Sequence, residues 1–174
     1  MLEGDEPRSG GRPDTRRIVV GVDGSPGARQ ALSWALTEAS LRRASVEVVH
    51  AWSYPDQGPK SAASPGAALT VEALEEGALR VVEDSLAGLV VREDLPLRRH
   101  VAPSPASLAL VEAAEGADLL VVGARGRGGF AGLQLGSVAQ QCAQHTPRPL
   151  VIVPVPGERY EFDPSSSRTE FASL

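Results

Sequence analysis

Three things that often reveal a protein's class are scarce in this sequence. Cys142 is the one cysteine among 174 residues, so an intrachain disulfide and a zinc ribbon are both excluded. Aromatic residues make up 4% of the chain, and we therefore expect a core of valine, leucine, isoleucine and alanine. Lys60 is the only lysine, so arginine carries nearly all of the positive charge.

Positive charge and long apolar runs are also in short supply. The formal net charge is −5, which argues against a nucleic-acid partner because such domains present a basic surface. No apolar run approaches the roughly 18 residues of a membrane span. The N-terminus lacks the basic and apolar regions of a secretory signal. These absences predict a cytoplasmic protein that binds neither membrane nor nucleic acid.

What the chain does have is a regular alternation of strand-like and helix-like segments between two polar tails, 1–15 and 157–174, for which we predict disorder. The predicted strands are 16–22, 45–52, 97–103, 118–123 and 149–155. The alternation predicts one α/β domain over 16–156, a three-layer doubly wound fold with helices on both faces of the sheet. The sheet is predicted to hold five parallel strands in the order 3-2-1-4-5, with the apolar fourth strand central.

Local signals place the helix ends and one long loop. Ser25-Pro26 and Ser104-Pro105 each predict a serine N-cap followed by proline at the first helical position. The last helix is predicted from about Ser137 to His145. The Pro-, Gly- and Ser-rich loop 53–68 is long for such a domain, and it is either functional or disordered.

The most informative stretch is "GARGRGGFAGLQLGS", residues 123–137, which holds six glycines, two arginines and no acid. In the predicted sheet it follows strand four and faces the end of strand one, where ligands bind open α/β sheets. Neither the Walker spacing nor G-x-G-x-x-G is present. Converging glycine N–H groups and the helix start at Gly136 and Ser137 predict an anion site. The alternative is a loop that simply needs positive φ angles.

The spacing Gly123-x2-Gly126-x9-Gly136-Ser137, together with "VVGVDGS", "VVHAW" and "PLVIVPV", resembles the ATP-binding branch of the universal stress protein family over roughly 16–156. The resemblance implies ATP as ligand. It also implies a homodimer formed through the last strand, Pro149 to Val155, with Pro149 and Pro154 limiting the strand's length. The implied nucleotide contacts are Asp23, Ala51, Gly123, Gly126, Arg127, Gly128, Gly129, Gly136, Ser137 and Val138.

The role of Asp23 has two interpretations. The resemblance implies a contact with ribose and with a Mg²⁺ ion carried by the phosphates, which suits a carboxylate. The alternative is a turn residue or helix cap. His50 is predicted to be a partly buried strand residue and His100 to be solvated. Cys142 and His145 are too few to form a metal site.

The function that follows is a nucleotide-dependent sensor or regulator of a stress response with no catalytic residue. One alternative is a slow ATPase, for which Gln134 is the only candidate to position water in the glycine stretch. The other is a nucleotide-independent dimeric adaptor. The sequence leaves open the stress signal, the protein partner and the preferred adenine nucleotide.

Overall fold

Strands and helices alternate along the part of the chain that the computed structural model describes, residues 16–53, 70–127 and 135–155. The strands are β1 (Arg17–Gly21), β2 (Ser45–Ala51), β3 (Leu97–Ala102), β4 (Leu119–Gly123) and β5 (Leu150–Val153). The helices are α1 (Pro26–Arg42), α2 (Val71–Leu86), α3 (Ala106–Ala113) and α4 (Ser137–His145). The two tails, nearly all of the predicted loop 53–68, and Gly128, Gly129 and Gln134 lie outside the described residues.

The sheet has the predicted order, β3-β2-β1-β4-β5, and every pair of neighbouring strands is parallel. β1 occupies the middle, whereas β4 lies one position away, between β1 and β5. The prediction of a central fourth strand is therefore correct only in that β4 is an interior strand. The chain reverses direction across the sheet between β1 and β4, which makes their carboxyl ends the expected ligand crevice.

Each face of the sheet carries its own aliphatic core, because successive strand residues point to opposite faces. In β1, Ile18 and Val20 pack with residues of α1 and α2, whereas Val19 packs with residues of α3 and α4. Fully buried alanines such as Ala31 and Ala35 let α1 lie close to the sheet. The expectation of a core of valine, leucine, isoleucine and alanine is confirmed for the described residues.

The two predicted helix starts have different outcomes. Ser25 is the N-cap of α1, and its Oγ accepts the Ala28 N–H at 3.1 Å, with Pro26 at the first helical position. The prediction for Ser104 is wrong. Pro105 has an extended backbone with ψ of 137° and takes the N-cap position itself, so α3 begins one residue later, at Ala106. The Ser104 hydroxyl is buried and has no hydrogen-bond partner among the described residues.

The start of α1 and the end of β4 touch backbone to backbone. A Cβ on Gly123 would lie 2.7 Å from the carbonyl carbon of Gly27, and a Cβ on Gly27 would lie 2.5 Å from the Arg125 carbonyl oxygen. Only glycine fits at such distances. This close contact holds the loop after β1 against the loop after β4.

We expect Gly123→Ala to destabilise the fold by about 1–3 kcal/mol, because its methyl group would overlap backbone atoms that cannot move independently. Gly77→Ala is the matched control. A Cβ at Gly77 would meet no atom within 4 Å, and the residue lies inside α2, so this change should stabilise the protein by about 1 kcal/mol. Urea unfolding measures both. Equal effects of the two substitutions would contradict the contact.

Candidate functional site

The carboxyl ends of β1, β2 and β4 surround a cavity of about 460 Å³. Ten residues were predicted to contact a ligand, and the structure brings eight of them to this one cavity. They are Asp23, Ala51, Gly123, Gly126, Arg127, Gly136, Ser137 and Val138. Gly128 and Gly129, the other two, lie outside the described residues. Residues that are 115 positions apart in sequence thus line a single space at the point where the strand order reverses.

Asp23 fastens together the two loops that border the cavity. Its Oδ1 accepts the Ser25 N–H at 2.9 Å, and its Oδ2 accepts the Arg127 N–H at 3.0 Å. The first bond is the local turn contact that the sequence suggested as an alternative to ligand binding. The second spans 104 residues and ties the loop after β1 to the loop after β4. The turn role is therefore present, and it leaves the carboxylate lining the cavity.

Two glycines of the motif differ in what requires them. A Cβ on Gly126 would collide with Asp23 Oδ2, so a side chain there would force this carboxylate to move and would disturb its bond to the Arg127 N–H. A Cβ on Gly136 would meet Ala124 O at 3.5 Å and Arg125 Cα at 3.6 Å, which are ordinary contacts. The φ of Gly136 is −74°, which any residue adopts. Nothing in the described part of the chain therefore requires glycine at position 136.

The start of α4 forms the polar wall of the cavity. Gly136 is the N-cap, so no side chain caps the helix, and the first turn holds no acidic residue. The Gly136 N–H donates to Ala124 O at 2.8 Å, and the Gln140 N–H donates to Gly136 O at 3.0 Å. The first N–H groups of a helix have no partner within it and carry the positive end of its dipole. This wall can therefore hold an anion beside the Ser137 hydroxyl.

The side of the cavity nearer β2 is apolar. Val49, Ala51 and Leu110 line it, and Ala106 at the start of α3 joins them. Leu110 of α3 lies over Gly21 at the end of β1, and α4 packs against α3 on the same face of the sheet. Sequence reasoning did not identify Ala106 or Leu110, because small and aliphatic side chains carry no chemical signal. The cavity suits a ligand with a flat apolar part and an anionic part.

Metal ligands are sparse around this cavity. Asp23 is the only carboxylate among its described lining residues, and none of these is histidine or cysteine. Across the described ranges, no group of three or more His, Cys, Asp or Glu residues could hold a metal ion. A Mg²⁺ ion here would depend on oxygen atoms that a ligand brings with it.

The histidines outside the cavity have structural contacts. His50 Nδ1 lies 2.7 Å from the Val22 carbonyl oxygen. The predicted solvation of His100 agrees with the 42% exposure of its side chain, but the prediction missed a contact, because His100 Nδ1 lies 3.1 Å from Oε1 of the buried Glu47. The signal that could have revealed this contact is Glu47 itself, a lone charge in the apolar strand "SVEVVHA".

Cys142 and His145 do not share a site. Cys142 is buried, and burial raises the pKa of its thiol to about 11, so the thiol is protonated at neutral pH. His145 is exposed at the end of α4.

The sheet order and the helices on both of its faces define a doubly wound α/β protein with a cavity where the strand order reverses. The universal stress protein family model matches residues 14–154, and the chain belongs to that family. A universal stress protein of Mycolicibacterium smegmatis is 36% identical over 141 residues, which are 78% of this chain and 45% of the relative. The chain thus spans about half the length of the curated relatives it matches.

Solved structures of the same family share the fold. A universal stress protein in complex with cAMP is 26% identical, with a TM-score of 0.55, over 79% of this chain and 95% of that one. The universal stress protein from Archaeoglobus fulgidus in complex with dAMP is 22% identical, with a TM-score of 0.57, over 79% of this chain and 97% of that one. Within the described ranges, this chain has no helix whose length and apolar character would let it cross a membrane.

We expect Asp23→Asn to lower the free energy of unfolding by about 1 kcal/mol or more, because an amide NH₂ cannot accept one of the two backbone N–H groups. Asp84→Asn is the control, since Asp84 is exposed and its side chain has no contact among the described residues. Thermal unfolding compares the two variants. A loss for Asp84→Asn as large as that for Asp23→Asn would contradict the fastening role.

Proposed function

We propose that the chain binds an adenine nucleotide, ATP, in the cavity at the ends of β1 and β4, and that it acts as a nucleotide-dependent regulator or sensor in a stress response. The observation that carries the proposal is Gly136. The described protein does not need glycine there, yet the residue stands at an uncapped helix start that lines the cavity. A phosphate oxygen bound against that backbone would explain why glycine stands at this position.

The phosphates fit the α4 wall. The N–H groups of Ser137 and Val138 lie in the first turn, where the helix dipole is positive, and Ser137 adds a hydroxyl donor. The absence of a Cβ at Gly136 lets an oxygen approach the backbone closely. Gly123, Gly126 and Arg127 then border the middle of the nucleotide. Contacts from Gly128 and Gly129 stay predictions.

The base fits the apolar side of the cavity. Val49 and Leu110 offer aliphatic surface for a flat ring, and the backbone of Ala51 lies beside them at the end of β2. A backbone N–H or carbonyl there can read the polar edge of adenine whatever the side chain. The relatives solved with cAMP and with dAMP support an adenine nucleotide as the class of ligand.

Magnesium fits only as part of a metal–nucleotide complex. Asp23 is the one carboxylate among the described residues that line the cavity, and each of its oxygens keeps a lone pair beyond the backbone N–H that it accepts. In the proposal Asp23 faces the ribose or the metal, and the phosphates supply the other ligands. When bound, the ion neutralises phosphate charge close to the Asp23 carboxylate.

We propose that the cavity holds ATP and does not turn it over rapidly. Asp23 is the only carboxylate among the described lining residues, and the two arginines there, Arg125 and Arg127, stay protonated. In the proposal the Asp23 carboxylate faces the ribose or the metal, so it does not orient an attacking water. Gln134, the remaining candidate, lies outside the described residues. We expect hydrolysis to be slow.

Gly136→Ala tests the nucleotide site. The methyl group fits the protein but occupies space next to the helix start, so ATP affinity should fall by about tenfold or more, the value of a lost hydrogen bond to a charged group. Isothermal titration with Mg·ATP measures the affinity. Gly77→Ala, whose Cβ meets no atom within 4 Å, should bind ATP as the unchanged protein does. Mg·GTP should bind more weakly to all three.

The thermal midpoint of Gly136→Ala makes the result interpretable, because the ordinary contacts of its Cβ and the poorer capping by alanine together predict a loss of stability of only about 1 kcal/mol. Unchanged ATP affinity in a stable Gly136→Ala variant would contradict phosphate binding at α4. Absence of ATP binding by the unchanged protein would favour the nucleotide-independent adaptor.

We further propose a homodimer formed through β5. This strand lies at the sheet edge and pairs only with β4 among the described strands. Leu120 N donates to Pro149 O and Ala124 N to Val153 O, so the intervening Ile152 turns its N–H and C=O to the open side.

Ultracentrifugation should show a dimer, and Ile152→Pro should weaken it, because proline removes that outward N–H. A monomer at all concentrations would contradict the dimer.

Two further predictions from the sequence, the extent of the domain and the cellular compartment of the protein, are part of the proposal. We propose that residues 16–156 form the nucleotide-binding unit and that the protein works in the cytoplasm.

A further inference from the structure

A second cavity, of about 430 Å³, lies at the amino ends of β1, β2 and β3, whereas the first cavity lies at the carboxyl ends of the strands. Its charged lining consists of four arginines, Arg16, Arg17, Arg43 and Arg98, against one glutamate, Glu47. Four residue steps of β1, or about 13 Å of extended strand, separate Arg17 from Gly21 at the first cavity. The two cavities are therefore separate sites.

The single acid of this cavity is already neutralised. Glu47 is only 4% exposed, its Oε2 pairs with Nη1 of Arg17, and its Oε1 lies 3.1 Å from His100 Nδ1. Nη2 of Arg17 donates to the Glu115 carbonyl oxygen at 2.6 Å. Arg17 is thus held in place by protein groups, and the carboxylate is not available to compensate the other three arginines.

Those three arginines have no carboxylate partner among the described residues. Within these ranges the Arg16 side chain donates to the Arg42 carbonyl oxygen alone, at 3.4 Å. The exposed side chains of Arg43 and Arg98 form no hydrogen bond or ion pair with any residue in the ranges 16–53, 70–127 and 135–155. Three guanidinium groups therefore surround one cavity without an anion.

Several exposed arginines elsewhere on the described surface form ion pairs. Each pairs with a nearby carboxylate, as in Arg42–Glu38, Arg80–Glu76, Arg92–Asp94 and Arg99–Glu83. Acids outnumber basic residues in the chain, 22 to 17, so partners are not scarce. The three arginines that line this cavity without a carboxylate partner among the described residues thus give a concave site of an acidic protein a local excess of positive charge, which is the arrangement that attracts an external anion.

We propose that this cavity binds a phosphate-type anion with two or more negative charges. Guanidinium groups match phosphate oxygens with paired N–H donors, and they keep their charge at every physiological pH. Ser45 also lines the cavity, but its hydroxyl donates to the Arg16 carbonyl oxygen at 3.3 Å, so the arginines are the donors for the anion. The site is independent of the adenine nucleotide proposed for the first cavity.

Titration of the full chain with tripolyphosphate, followed by ¹H–¹⁵N NMR, tests the proposal. The amides of Arg43, Ser45 and Arg98 report on this cavity, whereas those of Gly126 and Ser137 report on the other. We expect saturable shifts at the first group. Arg43→Gln and Arg98→Gln should each weaken that binding by about fivefold, the upper range for an exposed charge pair, and more when combined.

Arg80→Gln is the matched control, because it removes an exposed arginine of α2 that does not line the cavity. It should leave the affinity unchanged, and raising the salt concentration should lower the affinity of the unchanged protein. Shifts confined to the amides of Gly126 and Ser137 would overturn the proposal. So would equal losses in the three single variants, since these would indicate a general effect of net charge.

The source of the phosphate is distinguished by a parallel titration with ribose 5-phosphate. Tighter binding of tripolyphosphate supports the proposal with a free polyphosphate as ligand. Tighter binding of ribose 5-phosphate supports it with a phosphorylated small molecule as ligand. Absence of saturable shifts around Arg43 and Arg98 with both compounds overturns it.

Discussion

The close contact between the start of α1 and the end of β4 is the constraint on which the first cavity depends. Gly27 and Gly123 bring the two backbones too near for any side chain. Asp23 then fastens the two loops by accepting the N–H groups of Ser25 and Arg127. A side chain at Gly126 would force that carboxylate to move. Much of the glycine motif therefore serves to hold the loops together.

This conclusion changes how the motif is interpreted. Gly123 and Gly126 are explained by the protein's own packing, so their presence says little about a ligand. Gly136 is not explained in that way, and it stands at the uncapped start of α4. The argument for a phosphate consequently rests on one glycine and one helix start. Because Asp23 already fastens the two loops, they would lose little conformational entropy when a nucleotide binds.

Local signals in the sequence predict most of the fold. The apolar runs give the five strands, and Ser25-Pro26 gives the start of α1, because each depends on neighbours in the chain. The strand order follows instead from the alternation of strands and helices, through the rules for connecting parallel strands. Ser104-Pro105 looks the same but fails, since the extended backbone of Pro105 delays the helix. A cap depends on backbone geometry as well as on residue type.

Contacts between distant segments are harder to predict. The pairing of His100 with Glu47 depends on the register of β3 against β2, in which His100 lies beside Val49 and Arg98 beside Glu47. The cluster of arginines at the amino ends of β1, β2 and β3 likewise comes from three separate segments. Sequence spacing carries no information about either. The eight predicted residues that meet at the first cavity were placed together by the strand order, a feature of topology.

Native mass spectrometry of the purified full-length chain tests the central claim most directly, because it reports on ligand mass and chain number at once. The account predicts a dimer that retains an adenine nucleotide or takes up one ATP per chain when Mg·ATP is added, in preference to GTP. A dimer or monomer that arrives free of nucleotide and remains so in excess Mg·ATP would contradict it.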